Sequence, residues 1–250
     1  SYLMSENKKI SFKKYIEDTS KILKERGLEI VHRKKLLDYY LHKYESYEQY
    51  KEAQIKLNKK KLNLVWADEK TLKKVADIIK KSISEQNETK NKIFGICHGA
   101  RNGFEQKFLK NEIPNSEIVG TDISETVLEF EDSVHWDFHD EKTEWLEKFD
   151  FVYSNSLDQS WKPKLALSSW LNQIKLNGLV IIEHSIYHSP EHADEGDPFG
   201  VRPTVMPYIL TDWFGHQISI NHCILEKKNV FSSNIKVWLF ILKKISNVKF

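Results

Sequence analysis

A chain of 250 residues is long enough for one large domain, or for one domain with a sizeable appendage. Its 38 basic and 36 acidic residues leave a formal charge of only +2, so nothing electrostatic favours nucleic acid as a partner. Two distant cysteines, Cys97 and Cys223, exclude a zinc knuckle and a disulfide framework, and no apolar run nears the roughly 20 residues of a membrane span.

Near residue 1 there is no apolar signal-peptide core, and a cytoplasmic protein is expected. Residues 5 to 90 contain no Pro and are rich in Lys, Glu and Tyr. With chain breakers absent, helices are predicted over about 11–25, 32–57 and 69–84. The last is the clearest: Asp68 stands as an N-cap, and Leu72, Val75, Ala76 and Ile79 recur at i, i+3, i+4 and i+7. Tyr39, Tyr40, Tyr44, Tyr47 and Tyr50 fall on more than one helical face, which fits packing against the rest of the chain or an aromatic wall over a substrate pocket. Residues 1–90 therefore read as a helical region that caps a substrate site or joins two copies in a homodimer.

From Lys92 short apolar runs alternate with helical patterns. Strands are predicted at Ile93–Cys97, Ile118–Asp122, Ser133–Trp136, Phe149–Ser154 and Leu179–Glu183, the last entered through Asn177-Gly178. Helices are predicted at Gly103–Lys110, Ser124–Phe130 and about 163–176, followed by an irregular stretch at about 185–212. Two further strands, Ile218–Leu225 and Ile235–Leu242, form a hairpin across Lys227-Lys228-Asn229. Alternation of this kind implies right-handed crossovers, and the terminal hairpin adds antiparallel pairing. The fold class is α/β: a doubly wound, mostly parallel, seven-stranded sheet with an antiparallel C-terminal hairpin over residues 91–250, plus the N-terminal helical region.

In an open parallel sheet ligands bind beyond the carboxyl ends of the strands. Each predicted strand is followed there by informative residues. The first leads into Cys97, His98, Gly99, Asn102 and Gly103, where small residues let backbone approach a ligand and a helix begins. Asp122, followed by Ile123, is placed to bridge ribose hydroxyls. Asp137 and Phe138 offer a carboxylate and an aromatic face, and Asn155, Ser156 and Asp158 follow the fourth strand. His184 closes the fifth strand.

On these residues, 92–184 resembles the catalytic domain of class I S-adenosylmethionine-dependent methyltransferases. The family's glycine-rich segment matches Gly95-Ile96-Cys97-His98-Gly99-Ala100-Arg101, its acidic residue after the second strand matches Asp122, and its adenine-side acid matches Asp137. Its fourth motif matches Phe149–Asp158, and its post-helix turn matches Lys175-Leu176-Asn177-Gly178. The resemblance implies S-adenosylmethionine as cofactor, held by Gly95, Cys97, His98, Gly99, Asn102, Gly103, Asp122, Ile123, Asp137, Phe138, Asn155 and Ser156. The sequence departs from the pattern at the start of the glycine motif, where Gly95 replaces an acidic residue, and at Cys97 and Arg101, which replace glycines. Glu105 or the Asn155–Asp158 loop would then hold the methionine amino group. The same departures spoil the glycine spacing of a nicotinamide dehydrogenase.

The expected reaction is methyl transfer to a hydroxyl of a small molecule or saccharide. His184 is the candidate general base and Asp158 an orienting or proton-accepting group. The stretch Glu183–Asp197 is dense in carboxylates and histidines, but Ser189-Pro190 breaks the helix that would align them. It reads as a lid without a metal, with a divalent cation as the lesser alternative. The rival function is a catalytically silent scaffold whose Lys/Tyr-rich helices bind a partner protein.

Overall fold

A computed structural model describes residues 12–28, 38–86, 92–228 and 234–248. Residues 11 and 32–37 of the predicted N-terminal helices and Asn229 of the predicted hairpin turn lie outside the described residues. The first described helix is α1 (Phe12–Glu25). The predicted helix over 32–57 is in fact two elements in its described part: a two-residue strand β1 (Tyr40–Leu41) and a helix α2 (Tyr47–Lys60). Ser46 starts α2, its hydroxyl accepting the Gln49 N–H at 3.1 Å. Helix α3 (Glu69–Glu85) begins as expected, with Asp68 accepting the Thr71 N–H at 2.7 Å.

Strand β2 (Ile93–His98) leads through a turn to α4 (Phe104–Glu112), then come β3 (Ser116–Asp122), β4 (Ser133–His135) and β5 (Phe149–Ser154). Residues 125–129 form a 3-10 turn rather than an α-helix. Helix α5 (Pro163–Gln173) runs into β6 (Ile174–Ser185), which starts earlier than predicted. Ile174 already pairs with Phe149, and Leu179 with Phe151, so Lys175–Gly178 bulge outward, with Asn177 at φ 67°. The stretch 185–212 is not all irregular: β7 (Phe199–Gly200) pairs with β1, and α6 (Met206–Phe214) follows with Pro207 in its first turn. The chain ends in β8 (Ile218–Lys228) and β9 (Asn234–Lys244).

The seven-stranded sheet has the order β4-β3-β2-β5-β6-β9-β8. Its first five strands are parallel, while β9 is antiparallel to both β6 and β8. Strand alternation divides the core into two. Ile96, Val152, Val180, Ile182 and Phe240 face α5 and α6, whereas Cys97, Phe151, Ile181 and Leu239 face α3 and α4. Strand order reverses between β2 and β5, which sets a crevice at the carboxyl ends of β2, β3 and β5. Among the described residues no helix is long and apolar enough to cross a membrane.

Candidate active site

A slot lies at this crevice. From the sheet side it is lined by Gly99, Arg101, Asp122, Ile123, Trp136, Asp137, Phe138 and Gln159, and from α2 by Tyr50, Gln54, Leu57 and Asn58. Its volume is about 30 Å³, enough for about two water molecules. Helix α2 makes it this narrow. Asn58 Nδ2 donates to Asp122 Oδ1 at 2.6 Å, Tyr47 Oη donates to Asp137 Oδ2 at 2.6 Å, and Tyr50 Oη donates to the Gln159 carbonyl at 2.7 Å. The segment after α2 is clipped to the rim as well. Arg101 donates to the Lys61 carbonyl at 3.0 Å, Asn102 to the Leu62 carbonyl at 3.2 Å, and Trp66 Nε1 to Glu183 Oε2 at 2.6 Å.

Five of the sequence-predicted cofactor residues meet in the slot: Gly99, Asp122, Ile123, Asp137 and Phe138. Gly99 adopts φ +71°, and a Cβ there would stand 2.6 Å from the Ser156 side chain, so a residue with a side chain is excluded on both counts. Ser156 Oγ in turn donates to the Gly99 carbonyl at 3.3 Å.

The others sit elsewhere. Gly95 is inside β2 with the Phe151 ring against it, 2.1 Å from where a Cβ would be. Its lack of a side chain serves sheet packing rather than a ligand. Cys97 is buried against α3 and α4, and burial pushes its thiol pKa up. The His98 ring bridges Thr121 Oγ1 and Gln173 Oε1, each at 2.8 Å, and stacks on Trp170. Burial lowers its pKa to about 4. Asn102 caps the turn, accepting the Phe104 N–H, and Gly103 takes φ +79° where α4 begins. Asn155 donates to Glu105 Oε1 at 3.3 Å.

The two catalytic candidates are both away from the slot lining. His184 is 1% exposed, its Nε2 is 2.8 Å from the Val201 carbonyl, and burial together with His188 lowers its pKa to about 3. The neutral ring donates through Nε2 to that carbonyl and is buried instead of lining the slot. Asp158 is buried beside His188, 3.3 Å from its Nε2, and shares a hydrogen bond with Asp197. Burial, joined in Asp197 by the charge of the neighbouring Asp158, raises the pKa of each carboxyl to about 7. Among the described residues no group of three His, Cys, Asp or Glu side chains is arranged to hold a metal ion.

Sequence reasoning missed the α2 face and His139. His139 Nδ1 is 2.7 Å from Asp137 Oδ1, and its Nε2 is 2.7 Å from Ser160 Oγ. Burial alone would raise the Asp137 pKa, but hydrogen bonds from His139 and Tyr47 prevail and hold it below the usual carboxylate range. The available signal on α2 was spacing: Tyr50, Gln54, Leu57 and Asn58 stand at i, i+4, i+7 and i+8. Two of the four are amides, so the stripe reads as solvated when only apolar residues are counted.

No protein-family model matches the chain, and no curated protein matches it. Solved structures do. A Burkholderia thailandensis 1,6-didemethyltoxoflavin-N1-methyltransferase, with 1,6-didemethyltoxoflavin and S-adenosylhomocysteine bound, superposes with a TM-score of 0.61 at 9% identity, over 86% of this chain and 99% of that one. The CurJ carbon methyltransferase superposes at 0.51 and 12% identity over 70% of this chain, which spans only 54% of that protein. The [4+2]-cyclase SpnF gives 0.51 and 10% identity, over 70% of this chain and 81% of that one. The chain thus has the Rossmann-like fold of class I S-adenosylmethionine-dependent methyltransferases. A cyclase among these structures means that the chemistry must be argued from the site.

Proposed function

We propose that this protein is an S-adenosylmethionine-dependent methyltransferase that acts on a hydroxyl of a small-molecule or saccharide acceptor, with residues 1–90 contributing a cap over the site. One observation carries the reading. Asn58 Oδ1 and Arg101 Nε, both on residues lining the slot, are buried without hydrogen-bond partners, next to a buried Asp122. Buried polar atoms are rarely left unpaired, and here they surround the position where the fold binds nucleosides. These groups fit a nucleoside: Asp122 and Asn58 Oδ1 would accept from ribose hydroxyls, and Asp137 would accept from an adenine amino group.

Both Asp137 oxygens are already engaged, one by Tyr47 and one by His139. Entry of a nucleoside therefore requires α2 to swing outward and Tyr47 to release Asp137. The cofactor supplies an electrophilic methyl group on a sulfonium. The chain's task is alignment, exclusion of water beneath α2, and removal of the acceptor proton. Asp158 is the proposed orienting or proton-accepting group: it follows β5 at the rim and is held between His188 and Asp197, and burial raises its pKa to about 7.

Titration calorimetry of the whole chain with S-adenosylhomocysteine tests the proposal. Saturable binding is expected, and Asp122→Ala is expected to weaken it about 100-fold through loss of two charge-assisted hydrogen bonds. The second reading, a silent scaffold, is favoured by the pairing of α2 side chains with both slot carboxylates. Absence of binding at millimolar S-adenosylhomocysteine would select it.

A further inference from the structure

Beside the slot lies an open groove of about 450 Å³, within the size range of small-molecule sites. Stacked rings stand between the two spaces: Tyr50, which lines the slot, stacks on Trp161, which lines the groove, with centroids 5.4 Å apart and planes at 14°. The groove is assembled from three stretches distant in sequence. The segment before and within β1 brings Tyr39 and Leu41, the turn into α5 brings Trp161 to Leu165, and α6 brings Trp213. Tyr39 and Trp213 meet edge to face at 5.4 Å. Pairing of β1 with β7 holds the first stretch in place.

Charge in the groove has one sign. Lys162 and Lys164 are its charged lining residues, no carboxylate lines it, and neither lysine has an ion pair among the described residues. Lys162 Nζ lies 4.5 Å from the centre of the Trp161 ring. Exposed aromatic faces bind flat apolar or sugar rings, and ammonium groups without counter-ions attract an anion.

We propose that this groove is the acceptor subsite and takes a ring-bearing molecule with an anionic group, the ring against Trp161 and Trp213 and the anion at Lys162 and Lys164. The word acceptor rests on the methyltransferase reading; the ligand class rests on the groove alone. The position follows from the fold. Trp161 follows Asp158 by three residues, and the stacked rings of Trp161 and Tyr50 stand between a ligand in the groove and the slot.

The test is ligand-observed NMR titration of the full chain, with and without S-adenosylhomocysteine, using two matched pairs. The first is 4-hydroxybenzoate against 4-hydroxybenzamide, and the second is glucose 6-phosphate against glucose. At least one anionic member is expected to bind about tenfold or more tightly than its neutral partner, the scale of one charge-assisted contact. The Lys162→Ala/Lys164→Ala variant, changed only at exposed positions, should lose that preference and keep its affinity for S-adenosylhomocysteine. Which pair responds tells an aromatic carboxylate from a sugar phosphate. Equal binding within both pairs, or a preference that survives in the double variant, overturns the proposal. If the anion preference appears but S-adenosylhomocysteine fails to bind, the ligand class stands and the methyl-acceptor role falls.

Discussion

Helices α2 and α3 are neighbours in sequence and both lie against the sheet domain, yet they bury opposite kinds of residue. The buried face of α3 is Thr71, Leu72, Val75, Ala76 and Ile79, which join the core formed with α4 and one side of the sheet. The buried residues of α2 are Tyr50, Gln54 and Asn58. Apolar burial of the first kind is what holds a domain together. A buried stripe of a phenol and two amides stabilises little for its area, because each polar group must recover the hydrogen bonds it gave to water. Such a stripe makes sense where the opposite wall is itself polar and has another partner to receive. The contrast assigns α3 to the scaffold and α2 to the site.

The largest expected effect comes from breaking the scaffold member. Leu72 is fully buried, so Leu72→Ala should cost about 3 kcal/mol through lost transfer energy and a residual cavity. In a chain of this length the melting temperature should fall by roughly 6–12 °C. Affinity for S-adenosylhomocysteine in the folded fraction should stay within about twofold of the wild type. A variant that kept its stability and lost its ligand would reverse the roles of the two helices.

Asn58→Ala sharpens the comparison from the other side. It deletes a charge-assisted hydrogen bond to Asp122, but it also removes the unpaired Asn58 Oδ1, and Asp122 keeps the Ser124 N–H at 3.0 Å. These opposing contributions are each about 1–3 kcal/mol, so net stability should change by less than about 1 kcal/mol. Nucleoside affinity should fall about tenfold if Asn58 receives a ribose hydroxyl. If α2 only plugs the slot, truncation widens it and affinity rises, an outcome calorimetry would show as a change of sign.

The same contrast explains what could be read in advance. The sheet was legible because period-two alternation sends Ile96 and Cys97, or Ile181 and Ile182, to opposite cores whatever the loops do. Rim position was legible too, which is why Gly99, Asp122, Ile123, Asp137 and Phe138 were identified together. Side-chain direction at the rim was not. His184 ends a strand as expected, but the chain returns through Val201 and offers it a carbonyl. Helix α6 falls mostly within the stretch predicted to be irregular, and Pro207 in its first turn is compatible with a helix. The cover supplied by α2 depends on contacts such as Asn58 with Asp122, 64 residues apart, and local pattern carries no information on those.

A third expected effect concerns the loop beside the slot and depends on pH. Asp158 and Asp197 join the loop after β5 to the stretch before β7, and burial raises both carboxyls to about pKa 7. Around them stand His188, kept neutral by burial with a pKa of about 3, and the charges of Lys61 and Asp194. A carboxyl whose folded pKa exceeds its unfolded value of 3.8 gives its full stabilisation below that value and loses it as pH rises through about 7. In Asp197→Asn the amide donates to Asp158 as a protonated carboxyl would, and it cannot ionise. The variant's stability minus that of the wild type should therefore rise steadily from pH 5 to about pH 7 and level off by pH 8. The buried histidines His98, His184 and His188 act in the opposite direction, their stabilisation fading as pH falls below about 6.5, but they are present in both proteins and cancel in the difference. Paired thermal melts at four pH values between 5 and 8 would measure it, and a difference that stayed flat or shrank with rising pH would show that the two carboxyls do not share a proton.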